Sequence, residues 1–324
     1  MSKLKVILNW AASCGGCDVS LLDVGRPILD LPEKIEILYW PVALDFKRPD
    51  LAALPDGSVD VGIINGAIRT AEQEEEAKIF RAKCRTIVAY GSCACFGGIP
   101  GLGNQFTAEE LLKRAYIEAP SNANEEGVLP QPVSERGNFA LTLPAFSPAI
   151  RSLDQVIPVD YYVPGCPPST STIVSFLGAL GAVAGKEREE RYFAADKALC
   201  YDCPRAQAKE AKKVARLYRP HQQVADPERC LLEQGIFCMG IATRSGCGAR
   251  CVRANMPCRG CYGPLPGADD PGAGALSALA GLAGEGEDYL PPPKVLDVLE
   301  AVKDAVGTFY TFTLPVATLN KKRG

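Results

Sequence analysis

Eight cysteines fall within residues 200–261: Cys200, Cys203, Cys230, Cys238, Cys247, Cys251, Cys258 and Cys261. Four more, Cys14, Cys17, Cys93 and Cys166, sit in Gly- or Pro-rich turns earlier in the chain. Set against a single histidine (His221), these twelve thiols make sulfur the dominant metal ligand available. Soft donors in that number, almost without imidazole, point to iron–sulfur clusters before zinc or copper. Three sets of four would form a path for electrons. By order along the chain, the last eight divide into Cys200, Cys203, Cys230, Cys238 and Cys247, Cys251, Cys258, Cys261. Four-cysteine zinc sites use the same CxxC pairs, so spacing alone leaves a zinc-stabilised scaffold as a rival.

The first four thiols need a scaffold that brings distant turns together. Short β-branched runs at 5–9, 35–40, 59–64, 86–90 and 159–163 read as strands, bounded by Gly, Pro or Asp. Helical segments are expected at 18–30, 67–82 and 107–116, the last opening with the capping-box pattern Thr107-x-x-Glu110. Ser169 or Thr170 can cap a further helix through IVSFLGALGAV. Buried strands alternating with helices predict an α/β domain with an open parallel sheet, and the expected order is flavodoxin-like. Ligands of such sheets bind beyond the C-terminal strand ends. Cys14 and Cys17 follow the first strand in ASCGGC, Cys93 the fourth in YGSCACFGG, and Cys166 the fifth in VPGCPP. All three loops therefore open at one edge, where four thiolates can surround one cluster. Cys95 competes with Cys93 for the third place, and Cys84, beside a strand start, reads as a buried structural thiol. His221 reads as a surface residue, since no cysteine vacancy calls for it.

The charged stretch GKEREER marks a boundary, giving a flavodoxin-like domain at 1–190 and a small cysteine-rich iron–sulfur domain at 191–265. In the second, one helix is expected over 206–218, and so little apolar material implies that clusters serve as its core. Residues 266–288 read as a Gly/Ala linker, after which Val295, Val298, Leu299, Val302 and Val306 recur at helical spacing toward 324. A net charge of −3 argues against a nucleic-acid binder. Arginines among the cysteines, such as Arg250 and Arg259, are placed to offset thiolate charge. No apolar run reaches membrane-spanning length and no export signal is visible, so a cytoplasmic protein is expected, with metal ligation preferred to disulfides.

CGGC at 14–17, GSCACFGGIPG at 91–101, VPGCPP at 163–168 and the array ending in PCRGCYGP resemble the small, electron-transferring subunit of nickel–iron hydrogenases, from residue 3 to about 264. GTFYTF at 307–312 suits that family's tail. The resemblance implies a proximal 4Fe–4S cluster on Cys14, Cys17, Cys93 and Cys166, with Cys93 rather than Cys95 matching the GxCAxxGG cysteine. It implies medial ligands Cys247, Cys251, Cys258 and Cys261, and distal ligands Cys200, Cys203, Cys230 and Cys238, with Cys200 where membrane-associated relatives carry a histidine. All-cysteine ligation resembles the cytoplasmic, methyl-viologen-reducing group that feeds heterodisulfide-reductase-type complexes; deazaflavin-reducing and NAD-coupled relatives are alternatives. The nickel–iron centre is then expected on a separate large subunit, with an iron–sulfur or flavin subunit as acceptor. A homologue whose large partner lacks nickel, or a quinone-reductase relative, would share the sheet domain, though the latter lacks the eight-cysteine region. Where the family often has an acidic residue two places after the second proximal cysteine, this chain has Val19, and Asp18 beside it is not expected to handle protons.

Overall fold

Hydrophobic residues in the first half alternate between two faces of extended segments, and that alternation builds a sheet with a core on either side. The computed structural model describes residues 3–206, 213–268, 270–285 and 288–322. Its strands are β1 (Leu4–Trp10), β2 (Ile35–Tyr39), β3 (Val59–Asn65), β4 (Ile68–Thr70), β5 (Cys84–Tyr90), β6 (Val133–Arg136), β7 (Phe139–Thr142), β8 (Phe146–Arg151) and β9 (Tyr161–Val163). Five of them pair in parallel in the order β2-β1-β3-β5-β9, the flavodoxin-like order once the outlying strands are set aside. Ile7, Ile64, Ile87 and Ala89 face one layer, while Val6, Leu8, Ile63 and Val88 face the other. Each buried Val, Leu or Ile contributes about 1.5–3 kcal/mol, which makes this sheet the rigid base from which the cysteine loops project.

The helices depart from expectation in instructive places. The segment expected as one helix over 18–30 is α-helical only at Gly16–Leu22; Gly25, at φ 81°, breaks it, and a 3₁₀ turn follows at Arg26–Asp30. The helix expected from residue 67 begins at Ala71, because β4 pairs with β8 and Thr70 caps the helix through its capping box with Gln73. Thr107 and Ser169 cap their helices as expected. Between the helix Ala108–Tyr116 and β9 lie the β6–β7 hairpin and β8.

Larger corrections lie beyond residue 190. Of the helix expected over 206–218, residues 207–212 lie outside the described residues, and 213–218 are not helical: Val214 bridges Ala283 and Tyr218 bridges Ile236. The linker expected over 266–288 is instead a helix at Pro271–Leu282, started by Asp270, whose carboxylate accepts from Ala273 N at 2.9 Å. Its Ala275 and Leu279 are fully buried in a third core with Ile236, Met239, Val252, Phe309 and Leu314. The cysteine region thus borrows apolar side chains from residues 271–317 and does not rest on thiols alone. Gly272 leaves room for the Tyr310 ring, a contact that any Cβ would block. Because the helix is docked, Leu279→Ala is expected to cost about 2–5 kcal/mol, read as a lower melting temperature of the anaerobic protein; a true linker would show no change. Among the described residues no helix is long and apolar enough to cross a membrane.

Candidate iron–sulfur sites

The C-terminal strand ends bring the first four cysteines together. β1 runs into the turn carrying Cys14 and Cys17, β5 into the helix Gly91–Phe96 carrying Cys93, and β9 into the turn carrying Cys166. Backbone bonds tie the turns to one another: Ser92 N donates to Gly165 O at 2.7 Å, and Ala12 and Ala67 exchange a pair of 2.9 Å bonds. Burial raises the Cys17 thiol, and Cys93, Cys166 and Cys14 push it further. Burial likewise brings Cys93 up to about 12, with Cys166 and Cys14 adding to it and the Ile99 N–H opposing it. Protonated thiols of this kind must give up their protons to solvent in order to bind a metal, which couples loading to pH.

Glycines keep space around these sulfurs. At Gly98, φ 58°, a Cβ would lie 2.5 Å from Cys93 Sγ and 2.7 Å from Cys93 Cα; at Gly91, φ 83°, it would overlap Cys17 Sγ. Both positions favour glycine by φ and demand it by space. Cys93 and Cys95 lie two residues apart on a short helix, so they face different ways. Cys95 is wholly buried in the core and donates to Ala89 O at 3.3 Å. Cys84 is also a core thiol, packed near Gly62 and pushed up to about 12 by burial. His221 is exposed.

Asp18, next to Cys17, is buried at 1% exposure. Its carboxylate accepts from Trp40 Nε1 at 2.9 Å and Asn65 Nδ2 at 2.8 Å, so two neutral donors fix it in place. Val19 is exposed.

The remaining eight cysteines lie near one another in the region after residue 199. Burial raises Cys251, with Cys247 adding to it, and Cys261 reaches about 12 through burial first, then Cys247, Cys251 and Cys166. Cys258, also raised by burial, lies between Cys238 and Cys261. Cys200, Cys203, Cys230 and Cys238 line one cavity of about 60 Å³ whose other walls are chiefly aliphatic. Burial, with Cys200 and Cys230, brings Cys238 to about 11 against the N–H groups of Gly240 and Cys258; Cys258 N lies 3.3 Å from Cys238 Sγ. The groups are contiguous, since Cys166 of the first bears on Cys261 of the second and Cys258 of the second touches Cys238 of the third.

Two contacts that the sequence did not single out join the sheet edge to the cysteine region. Ser92 Oγ donates to Cys261 O at 2.5 Å. Tyr262 OH, buried, accepts from Ser169 N at 3.1 Å and lies 2.8 Å from Thr172 Oγ1, at the start of the helix after Cys166. Adjacency to the CxxC pair was the only sequence signal for Tyr262.

The donor sets suit iron–sulfur clusters: four thiols per group, N–H groups aimed at sulfur, and glycines where a side chain would intrude. A lone zinc ion would need sulfurs drawn in to Zn–S distances of about 2.3 Å. Among the described residues no group of three or more His, Cys, Asp or Glu is drawn together closely enough to hold a single metal ion of any kind.

Residues 14–180 match the family described as NADH ubiquinone oxidoreductase, 20 Kd subunit. That match stops short of the eight-cysteine region. The chain is 39% identical over 323 residues to the iron-sulfur subunit of the F420-non-reducing hydrogenase of Archaeoglobus profundus, covering 98% of each chain. It is 38% identical over 322 residues to the corresponding F420-non-reducing hydrogenase chain of Methanothermobacter thermautotrophicus, covering 99% of this chain and 97% of the relative. Among solved structures, a chain of the [NiFeSe] hydrogenase from Desulfovibrio vulgaris Hildenborough shares the fold at TM-score 0.55 and 18% identity, covering 82% of this chain and 96% of that one.

Proposed function

Since this chain belongs to the small-subunit family of nickel–iron-type hydrogenases, we propose that it relays electrons through three 4Fe–4S clusters between the nickel–iron large subunit and an external acceptor protein. The observation that carries this reading is the contiguity of the three four-cysteine groups, linked through Cys166 to Cys261 and through Cys258 to Cys238. Cys14, Cys17, Cys93 and Cys166 hold the proximal cluster at the sheet edge. Cys247, Cys251, Cys258 and Cys261 hold the medial one, and Cys200, Cys203, Cys230 and Cys238 the distal one. When bound, each cluster supplies a one-electron couple.

The chain's own residues do the rest. Gly91 and Gly98 keep side chains off the proximal sulfurs, the N–H groups of Ile99 and Gly240 stabilise thiolate at Cys93 and Cys238, and the aliphatic wall of Leu199, Leu231 and Leu232 excludes water from the distal site. Ser92 and Tyr262 hold the proximal and medial groups in a fixed relation. The acceptor is an iron–sulfur or flavin subunit of a heterodisulfide-reductase-type complex, and the assembly works in the cytoplasm; the kinship with iron–sulfur chains of F420-non-reducing hydrogenases supports both.

Elemental analysis of the anaerobically purified native complex tests the proposal. About twelve iron atoms per copy of this chain, besides the partner's iron, and about one nickel are expected. Iron without nickel would keep the relay and move it to another enzyme, whereas zinc in place of iron would end the redox reading.

A further inference from the structure

The cavity bordered by Cys200, Cys203, Cys230 and Cys238 also contains a buried fixed cation. Arg205 lines it and is only 3% exposed. Its Nη1 donates to the carbonyls of Asp226 and Arg229 at 3.2 and 3.3 Å, and its Nη2 to Asn255 Oδ1 at 2.6 Å. All three acceptors are neutral, and no ion pair to Arg205 occurs among the described residues. Among the described residues the one carboxylate lining the cavity is Glu233, whose Oε1 is buried without a hydrogen-bond partner and is not paired with the guanidinium.

A guanidinium stays protonated in proteins, and a buried charge without a counter-charge is strongly unfavourable. Among the described side chains none pairs with this guanidinium, so the thiols that share its cavity are the natural place for a balancing charge. Four thiolates around an iron–sulfur core make a net anion, and its charge deepens by one unit when it accepts an electron.

We propose that Arg205 is the fixed counter-charge of this site: it favours the more negative, reduced cluster and so raises that cluster's reduction potential. The proposal rests on the assignment of these four cysteines as cluster ligands. The step it governs is a single electron passing from the neighbouring medial site, which is oxidised, to the distal site, which is reduced; no bond is made or broken. An electron arriving from the sheet edge is thereby held at the end of the line, ready for the acceptor. Arg205 acts through charge and is a positioning residue for the electron, since it ligates nothing.

The test is a redox titration of the whole anaerobic complex followed by electron paramagnetic resonance, comparing R205M and R205K with the unaltered protein. R205M keeps most of the side-chain volume and removes the charge. It is expected to shift the one-electron equilibrium of the distal cluster at least tenfold toward the oxidised form, a fall of 59 mV, while the other two clusters keep their potentials. R205K, which retains the charge and loses the forked hydrogen bonds, is expected to stay near the original value. An unchanged distal potential in R205M, or equal falls in R205M and R205K, would overturn the proposal, because a merely structural arginine predicts no dependence on charge. Should R205M load no cluster there, loading becomes the readout: R205K must keep the iron that R205M loses, and equal loss in both overturns the idea. A C203S variant separates this from the underlying assignment, since an unchanged iron count and spectrum in C203S would remove the ligand reading itself.

Discussion

Serine in place of Cys17 is expected to remove about four iron atoms per chain and to stop hydrogen-driven dye reduction, while alanine in place of Cys95 leaves the iron in place. The two thiols are both buried, and composition offers no way to rank them. Their surroundings do. Cys17 has Cys93, Cys166 and Cys14 as neighbours, so under the proposed ligation a hydroxyl there would replace a soft ligand with a hard one. The loss should exceed the ~10–100-fold typical of outer-shell partners of a metal site, because no other thiol can take the place. Cys95 points into the sheet core, donates to Ala89 O and packs among apolar side chains. Truncating it leaves a small void worth about 1–2 kcal/mol, visible as a lower melting temperature at full iron content. Iron per chain, measured beside dye reduction, decides the matter. Iron loss from C95A with retention in C17S would exchange the roles of the two residues.

Gly98→Ala is expected to disable the same proposed site without replacing any of its cysteines. Its backbone sits at φ 58°, ψ −159°, a region essentially confined to glycine, where another residue costs about 1–3 kcal/mol. The new methyl would also meet Cys93 Sγ at 2.5 Å and Cys93 Cα at 2.7 Å, and relieving such overlap adds about 1–3 kcal/mol. One of the colliding atoms is backbone, so the turn carrying Cys93 must move. The expected result is a protein that loses proximal iron preferentially and melts at lower temperature. Gly57→Ala is the matched control: it has a similar φ of 66° but nothing near its would-be Cβ, so it should carry the backbone strain alone and keep its iron. Equal iron loss in both variants would show that strain, and not the space around Cys93, is responsible.

Much of this arrangement was legible because its signals are local. β-Branched runs ending in Gly- and Cys-rich turns gave the five sheet strands, and the shared edge followed from parallel pairing. Thr107 and Ser169 announced their helices through side chains that bond within three residues. The misread places depend on partners far along the chain. Residues 68–70 left their helix because Phe146–Arg151 lies alongside them. The Gly/Ala-rich stretch at 271–282 has no broad apolar stripe, and its helix is held by Tyr310 and the core around Met239, which no local pattern reveals. Arg205 and Tyr262 looked like ordinary residues beside CxxC pairs. Their weight comes from Asn255, Ser169 and Thr172, the nearest of which is fifty positions away.

The loop carrying Cys93 is closed by residues made much later. Gly98 N donates to Phe312 O at 3.1 Å, Pro315 packs onto Gly97 and Gly101, and Gln155 Nε2 donates to Pro315 O at 2.9 Å. During translation the ribosome must add 222 further residues after Cys93 before Pro315 exists (315 − 93). Until then the turn after Cys93 lacks these contacts, so it reaches its final form only when the tail of the chain has joined it, while Cys14 and Cys166 stay exposed even then.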